Sequence, residues 1–336
     1  MHAWQISSFG VDSLEFVERP TPTPGPSEVL LKVHAISFNY RDLMVVKGHY
    51  NPKMKLPRIP CSDGAGEVAA VGEGVSAWKP GDRVAGIFMQ NWLDGPPTAA
   101  KARGALGGDI DGMLAEYVVL KDTGLVRLPE HLSFQEAATL PCAAVTAWNA
   151  LAAGNLRPGA TVLIQGTGGV SIFALQLARL QGARALGISS SNAKLERARG
   201  LGLDAGLNYS ENPDWDRWVL DQTAGEGVDL VVEVGGLATL PCSLKSIRIG
   251  GTIAQVGVLS GSTDPVPFPV GSVLHKQARI QGIYVGSRHD FEQMNKAISL
   301  AQLRPVYESL PWSQACEALA RMEKGSHFGK LVLTVA

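Results

Sequence analysis

Residues 161–171 read TVLIQGTGGVS. A short strand-like run, TVLIQ, passes without interruption into Gly166, Thr167, Gly168 and Gly169. The chain then continues as VSIFALQLARLQG, whose Phe173, Leu177 and Leu180 are spaced for one buried helical stripe. Strand, glycine-rich turn and helix thus follow in the order that a diphosphate cradle requires. Gly166 can take a turn conformation barred to bulkier residues, and Gly168 lets the backbone approach a pyrophosphate. The N–H groups that open the helix, from Gly169 and Val170 on, point toward the phosphates. A third glycine of the pattern would fall at 171, where serine stands, and serine fits if helix and strand pack slightly further apart. A glycine-rich turn alone is weak and also suits a purely structural β-turn-α. The dinucleotide reading rests on the second strand, which ends about 20 residues later, as that reading demands.

The tip of that second strand bears on the cofactor. It runs Gly187-Ile188-Ser189-Ser190-Ser191-Asn192-Ala193-Lys194. A carboxylate at the position of Ser189 would accept hydrogen bonds from an adenosine ribose and repel a 2′-phosphate. Here no acid appears before Glu196. Three hydroxyls and an ammonium suit a phosphate, so Ser189, Ser190 and Lys194 point to NADPH over NADH. The competing reading of Lys194 is a solvated helix residue.

Outward from this point the alternation continues. ARALGIS is followed by AKLERARGLG, then by GLNY, DLVVEVG, GTIAQVG and IQGIYVG as further strands, with a helix between 237 and 248. This predicts a doubly wound parallel sheet over roughly 155–287. Before it, Ser133 and Glu136 have capping-box spacing, and Pro141 permits a second helix through Val145, Trp148 and Leu151. Residues 1–125 differ: EVLLKVHAISF, GEVAAVGEGV, DRVAGIF and AEYVVLK are short strands between turn signals, which predicts a partly closed β-barrel. Residues 90–112 are polar and rich in Gly and Pro, and read as a mobile loop. The tail carries helical patterns after Asp290 and Ser313, then the strand GKLVLTV, which should return to the barrel because it needs a neighbour. The expected domains are 1–125 with 288–336, and 126–287.

Composition limits the alternatives. A chain of 336 residues with 45% hydrophobic and 18% charged side chains suits a two-domain globular α/β protein. A net charge of -1 without a Lys/Arg cluster leaves no footprint for nucleic acid. No apolar stretch reaches a membrane span, and the start MHAWQISSFG lacks the basic and apolar regions of a signal peptide. Four scattered cysteines, with no CxxC pair, fit a reduced compartment and a cytoplasmic location.

The segments SFNYRDL (37–43), PCSDGAGEV (60–68), DGMLAEYVVL (111–120), AATLPCAAVTAWNAL (137–151), GTGGVSIFALQLA (166–178), GGTIAQVG (250–257), VGSRHDFEQMNKAI (285–298) and HFGKLVL (327–333) extend over nearly the whole chain. In these the sequence resembles the medium-chain dehydrogenase/reductase superfamily, and within it the zinc-independent quinone oxidoreductase-like branch. The resemblance implies a GroES-like β-barrel for substrate plus a Rossmann-like cofactor domain, with the active site in the cleft between them. It also implies a homodimer joined through cofactor-domain edge strands near GIYVG (282–286).

Zinc-dependent members place cysteine, histidine and cysteine where this chain has Asn39, Ser62 and Cys142, and glutamate where it has Asp63. One thiol among such donors is a poor zinc site, so no zinc is expected; the remaining possibility is an unusual site from Cys61, Asp63 and Cys142. By resemblance Asn39, Tyr40, Arg41 and Asp42 line the cleft, with Asn39 a donor to the substrate oxygen and Tyr40 a proton donor or a wall. Arg41 and Asp42 read equally as an ion pair fixing the loop. Cys142 joins Asn39 and Tyr40 as a catalytic candidate, although small buried cysteines are more often packing residues. Trp92, Tyr50 and Phe88 are candidates for an aromatic pocket or for plain core. Similarity assigns Tyr209 to the 2′-phosphate, Gly235, Gly236 and Gly257 to close backbone access for the cofactor, and Val285, Gly286, Ser287 and Arg288 to the segment beside the cofactor. His327, Gly329 and Lys330 are expected to close over the cofactor or to form a solvated turn.

The implied reaction is hydride transfer from NADPH to a quinone or an α,β-unsaturated carbonyl, a small-molecule substrate, without metal. The alternatives are an alcohol or aldehyde dehydrogenase, and a nicotinamide-binding structural or redox-sensing protein with little turnover.

Overall fold

The computed structural model describes residues 1–257 and 268–335, which divide into two units, Met1–Val145 with Gly286–Ala336 and Thr146–Val285. The sequence placed the first boundary near 125; the structure moves it about one helix further. Leu125–Arg127 pairs antiparallel with Arg83–Gly86. Arg304 bonds Glu136 at 2.8 Å, and His131 bonds the Leu303 carbonyl at 3.0 Å. Residues 126–145 therefore belong with the barrel.

In the second unit six strands form a parallel sheet. Their order is Ala205–Asn208, Arg184–Ser189, Thr161–Gln165, Val228–Glu233, Ile247–Gln255 and Arg279–Gly282. The central strands are continuously apolar because helices cover both faces; Leu163, Leu186, Val231 and Ile253 have no exposed surface. The helix Gly169–Leu180 follows the glycine-rich turn as expected, with Phe173 and Leu177 buried. Leu180 departs from the expected stripe: it is the helix's last residue and is 42% exposed.

The first unit is organised by one long strand, Glu28–Phe38, which pairs antiparallel with Asp63–Val71, Tyr117–Lys121 and Lys330–Thr334. The C-terminal strand thus finds its partner in the barrel, and it also pairs parallel with Tyr307–Pro311. The expected capping box is present: the Ser133 amide donates to Glu136 Oε2 at 2.7 Å and the Glu136 amide to Ser133 Oγ at 3.2 Å. Pro141 does not restart an α-helix at once; Leu140–Ala144 form a π-helical turn, and the α-helix resumes at Val145–Ala153. The 90–112 segment is anchored rather than mobile along its C-terminal half. Leu106 is fully buried, and Gly107 and Gly112 lie so close to the Cys61 backbone that a Cβ would come within 2.6 and 2.1 Å of it. Among the described residues no helix is long and apolar enough to cross a membrane.

Candidate active site

Antiparallel pairing builds the catalytic candidate. Phe38 ends the long strand, while Asp63 and Lys330 begin two of its neighbours; register pairs Ser37 with Asp63 and Phe38 with Leu331. The three strand ends therefore deliver Asn39, Asp63 and Lys330 to one place. Lys330, 2% exposed, donates to the Phe38 carbonyl at 2.6 Å and to Asn39 Oδ1 at 2.5 Å, and stands 3.7 Å from Asp63 Oδ2. Asn39 Nδ2 donates to Ser62 Oγ at 3.3 Å, and Ser62 Oγ donates to Asp63 Oδ1 at 2.7 Å. The loop closes on itself, Lys330 to Asn39 to Ser62 to Asp63 and back. The Cys142 amide, in the π-helical turn, donates to Asp63 Oδ2 at 3.2 Å.

This corrects the expectation for Lys330. Its side chain is not part of a solvated turn but the buried cation of the Asn39 cluster. Sequence reasoning weighed Ser62 and Asp63 only as failed metal ligands and missed them as parts of this loop. The available signal was register: a lysine opening a returning strand must lie beside whatever ends the strand it pairs with.

Arg41 and Asp42 take the fixing role. The Asn39 amide donates to Asp42 Oδ2 at 2.8 Å at the start of the helix Tyr40–Val46, and Arg41 stands 3.5 Å from Asp42. The Arg41 guanidinium also donates to the Leu106 carbonyl at 2.5 Å and lies over the Tyr50 and Phe88 rings at 4.6 and 4.7 Å. Phe88 and Tyr50 thus hold an arginine, and Phe88 and Trp92 are buried, which fits the plain-core reading of these aromatics. Burial raises the Asp42 carboxyl to about 6, partly offset by Arg41. Burial likewise raises Asp63, against the pull of Lys330. The Cys61 and Cys142 thiols are pushed up by burial, with the nearby carboxylates adding; Cys61 is fully buried and Cys142 half-buried. Tyr40, by contrast, is 39% exposed.

A catalytic zinc does not fit these donors. One thiol, an amide, a hydroxyl and a carboxylate are on offer, and an ammonium already occupies the amide oxygen. A dication placed ~4 Å from Lys330 would meet a repulsion of about 8 kcal/mol at an effective dielectric of ~20. Among the described residues no three His, Cys, Asp or Glu side chains are grouped to hold a metal ion.

In the second unit the glycine-rich turn fits a diphosphate. Gly166 has φ +71°, and a Cβ on Gly168 would meet nothing within 4 Å, so the turn faces open space. Gly168 caps the following helix without a side-chain hydrogen bond, which leaves the first-turn amides of Gly169 and Val170 to a ligand. Ser171 replaces the third glycine with a benefit: its hydroxyl donates to the Gln165 carbonyl at 2.7 Å and ties helix to strand. Thr167 is 8% exposed. At the next strand tip Ser189 Oγ accepts from the Ser191 amide at 3.3 Å, Ser191 caps the helix bearing Lys194, and Ser190 is exposed. Tyr209, 41% exposed, donates its amide to the Ser189 carbonyl, so the structure brings these residues together. It also brings Glu211, whose Oε1 accepts from Asn192 and Asn208 at 2.6 and 3.0 Å.

Other expected cofactor contacts have a structural occupation. A Cβ on Gly257 would come within 2.0 Å of the Val234 carbonyl, and one on Gly235 within 2.3 Å of Thr239 Oγ1. Close chain packing is therefore what requires glycine at both positions. Ser287 is spent on a capping box with Asp290. Val285 holds φ +56°, with its carbonyl bonded to Asn149 Nδ2 at 2.8 Å, and Gly286 is buried beside it. Sequence reasoning also missed Glu233, a fully buried acid at the end of the strand Val228–Glu233. It accepts from Gln165 at 2.8 Å, Thr239 at 2.6 Å and the Gly235 and Gly236 amides at 2.8 and 3.0 Å. A buried acid has to be satisfied in this way.

Comparison with known proteins agrees with the two-unit fold. Residues 25–130 match the alcohol dehydrogenase GroES-like domain, and residues 169–299 match the zinc-binding dehydrogenase family. A zinc-type alcohol dehydrogenase-like protein of Schizosaccharomyces pombe is 43% identical over 97% of this chain and 96% of its own. An acryloyl-coenzyme A reductase of Metallosphaera sedula is 31% identical over 95% and 96%. A crystal structure from Sinorhizobium meliloti, named as an alcohol dehydrogenase, is 40% identical, covers 99% of this chain and 98% of its own, and superposes with a TM-score of 0.93.

Proposed function

Since the chain belongs to the medium-chain dehydrogenase/reductase superfamily of oxidoreductases, we propose that it is a zinc-independent, NADPH-preferring reductase of quinones or α,β-unsaturated carbonyls. One observation carries this reading: a buried ammonium, Lys330, sits within the group that offers Asn39 to a substrate, where zinc-dependent members would hold a metal. The bound nicotinamide supplies the hydride. The chain's own residues stabilise the oxygen on which charge collects. Asn39 is fixed with Oδ1 toward Lys330 and Nδ2 toward Ser62, and its side-chain NH2 is the donor this reading assigns to the substrate oxygen. Hydride addition at the β-carbon moves the electron pair onto that oxygen. A proton from the Tyr40 phenol or from water then reaches the α-carbon.

Ser189, Ser190 and Lys194 support preference for a 2′-phosphate, and Glu211 nearby has Oε1 taken by two amide donors. The relative named acryloyl-coenzyme A reductase acts, by that name, on an activated double bond, which favours the same class here. The relatives named alcohol dehydrogenases favour a second reading, alcohol oxidation, for which the Ser62–Asp63 hydrogen bond offers a proton path. A homodimer through Arg279–Gly282 fits its place at the sheet edge, where all four residues are exposed and Tyr284, two residues further on, is 49% exposed.

The test is turnover of NADPH with quinones, enones and simple alcohols, before and after chelation. Quinone or enone reduction that survives chelation supports the proposal. Alcohol oxidation that disappears with the metal would replace it by the second reading.

A further inference from the structure

At the opposite end of the parallel sheet from the glycine-rich turn lies a cavity of about 270 Å3, lined by Arg157, Asp229, Arg248, Thr252, Arg279 and the loop that starts at Gly154. Three guanidiniums face one carboxylate there, an excess of two positive charges. Asp229 is committed: Oδ2 accepts from the Thr161 amide at 2.7 Å and Oδ1 from Arg248 Nε at 2.7 Å. Arg248 is further held by the Ile249 carbonyl at 2.7 Å, and Arg279 donates to Thr252 Oγ1 at 3.2 Å. The Arg157 side chain makes no hydrogen bond or ion pair with any described residue. Its loop is nonetheless firmly set: Asn155 holds φ +48°, the Gly159 amide donates to Gly182, and a Cβ on Gly154 would strike Leu230 at 2.7 Å. Two arginines are thus oriented in advance and a third is available, on a rigid frame.

We propose that this cavity is a binding site for a small polyanion, a phosphate ester or a di- or tricarboxylate. The volume holds roughly nine waters at ~30 Å3 each, which suits such a molecule and is too small for a dinucleotide. The planar guanidinium fork matches phosphate and carboxylate alike, so the shared chemistry is an oxyanion with two or more charges. The site is separate from the cofactor cradle, because Thr161 and Asp229 stand at the strand starts while Gly166 and Gly235 follow the strand ends. Nothing in it depends on the reductase reading.

The experiment is calorimetric titration of the full-length protein with pyrophosphate and with citrate at low salt. It is run on wild type and on Arg157→Gln and Arg279→Gln, which leave the Asp229–Arg248 pair intact, with melting temperatures confirming that each variant is folded. Tungstate soaked into crystals locates the anion by anomalous scattering. Each substitution should weaken binding about tenfold, and tungstate should lie against Arg157. Tighter binding of pyrophosphate assigns a phosphoryl ligand, and tighter binding of citrate a carboxylate one. Failure of both anions to bind, affinities untouched by both substitutions, or tungstate found only at the Gly166–Gly169 turn would overturn the proposal.

Discussion

Replacing Lys330 by methionine keeps the length of the side chain and removes its charge. The Phe38 carbonyl and Asn39 Oδ1, at 2.6 and 2.5 Å, lose a charged donor, and Asp63, with no exposed surface, loses the cation at 3.7 Å. A hydrogen bond to a charged group is worth about 1.5–3 kcal/mol, and removing one partner of a buried ion pair costs about 3–5 kcal/mol. These terms overlap, since they describe one ammonium, so the expected loss is about 4 kcal/mol in urea unfolding at pH 7. Much of that loss is the penalty of a carboxylate left alone. Adding Asp63→Asn to Lys330→Met should therefore restore about 2 kcal/mol, rather than adding a further loss. The same variants report on positioning: without Lys330 the Asn39 amide is free to rotate, so kcat should fall more than tenfold while KM for NADPH stays within about twofold. A stability loss below ~1 kcal/mol, or a double variant as damaged as the sum of the single ones, would refute the view of Lys330 as the cluster's organising cation.

Two further predictions concern charge. The Asp42 carboxyl titrates near 6 in the folded protein against an ordinary value of 3.8, so between those values the folded state binds more protons than the unfolded one. Its contribution to stability is present below pH 3.8 and is lost as pH rises through 6, a swing of about 3 kcal/mol. Asp42→Asn should accordingly gain about 2.4 kcal/mol on wild type between pH 4 and pH 7 in urea unfolding at the two pH values; a gap that does not change would contradict the assignment. Lys194→Ala should raise KM for NADPH severalfold and leave NADH nearly unaffected, and equal effects on both cofactors would remove Lys194 from the phosphate site.

Much of the fold was legible because local patterns and global topology agree. TVLIQGTGGVS, the Ser133–Glu136 box and the alternation of strands and helices each specify one element, and their order specifies the sheet. Leu180 and the 90–112 segment were misread for one reason. Periodicity and composition describe a segment by itself, while burial depends on what lies across from it, such as the Cys61 backbone against Gly107 and Gly112. The active site was half legible. Asn39 and Tyr40 lie on a segment whose resemblance is strong, but the partner of Asn39 is 291 residues away in the chain. Only strand register joins them. Gly235 and Gly257 teach the converse lesson, since a glycine near a cofactor turn can be required by a neighbouring carbonyl or hydroxyl instead.

The central claim is that a protein cation, not a metal, supports hydride transfer to an electron-poor double bond. Its most direct test is the reduction of an enone with NADPH carrying deuterium at both C4 positions, by untagged protein whose zinc content has been measured by mass spectrometry. The account predicts deuterium at the β-carbon, well below one zinc per chain, and a rate that added zinc does not raise. Turnover proportional to bound zinc, or a product without the label, would contradict it.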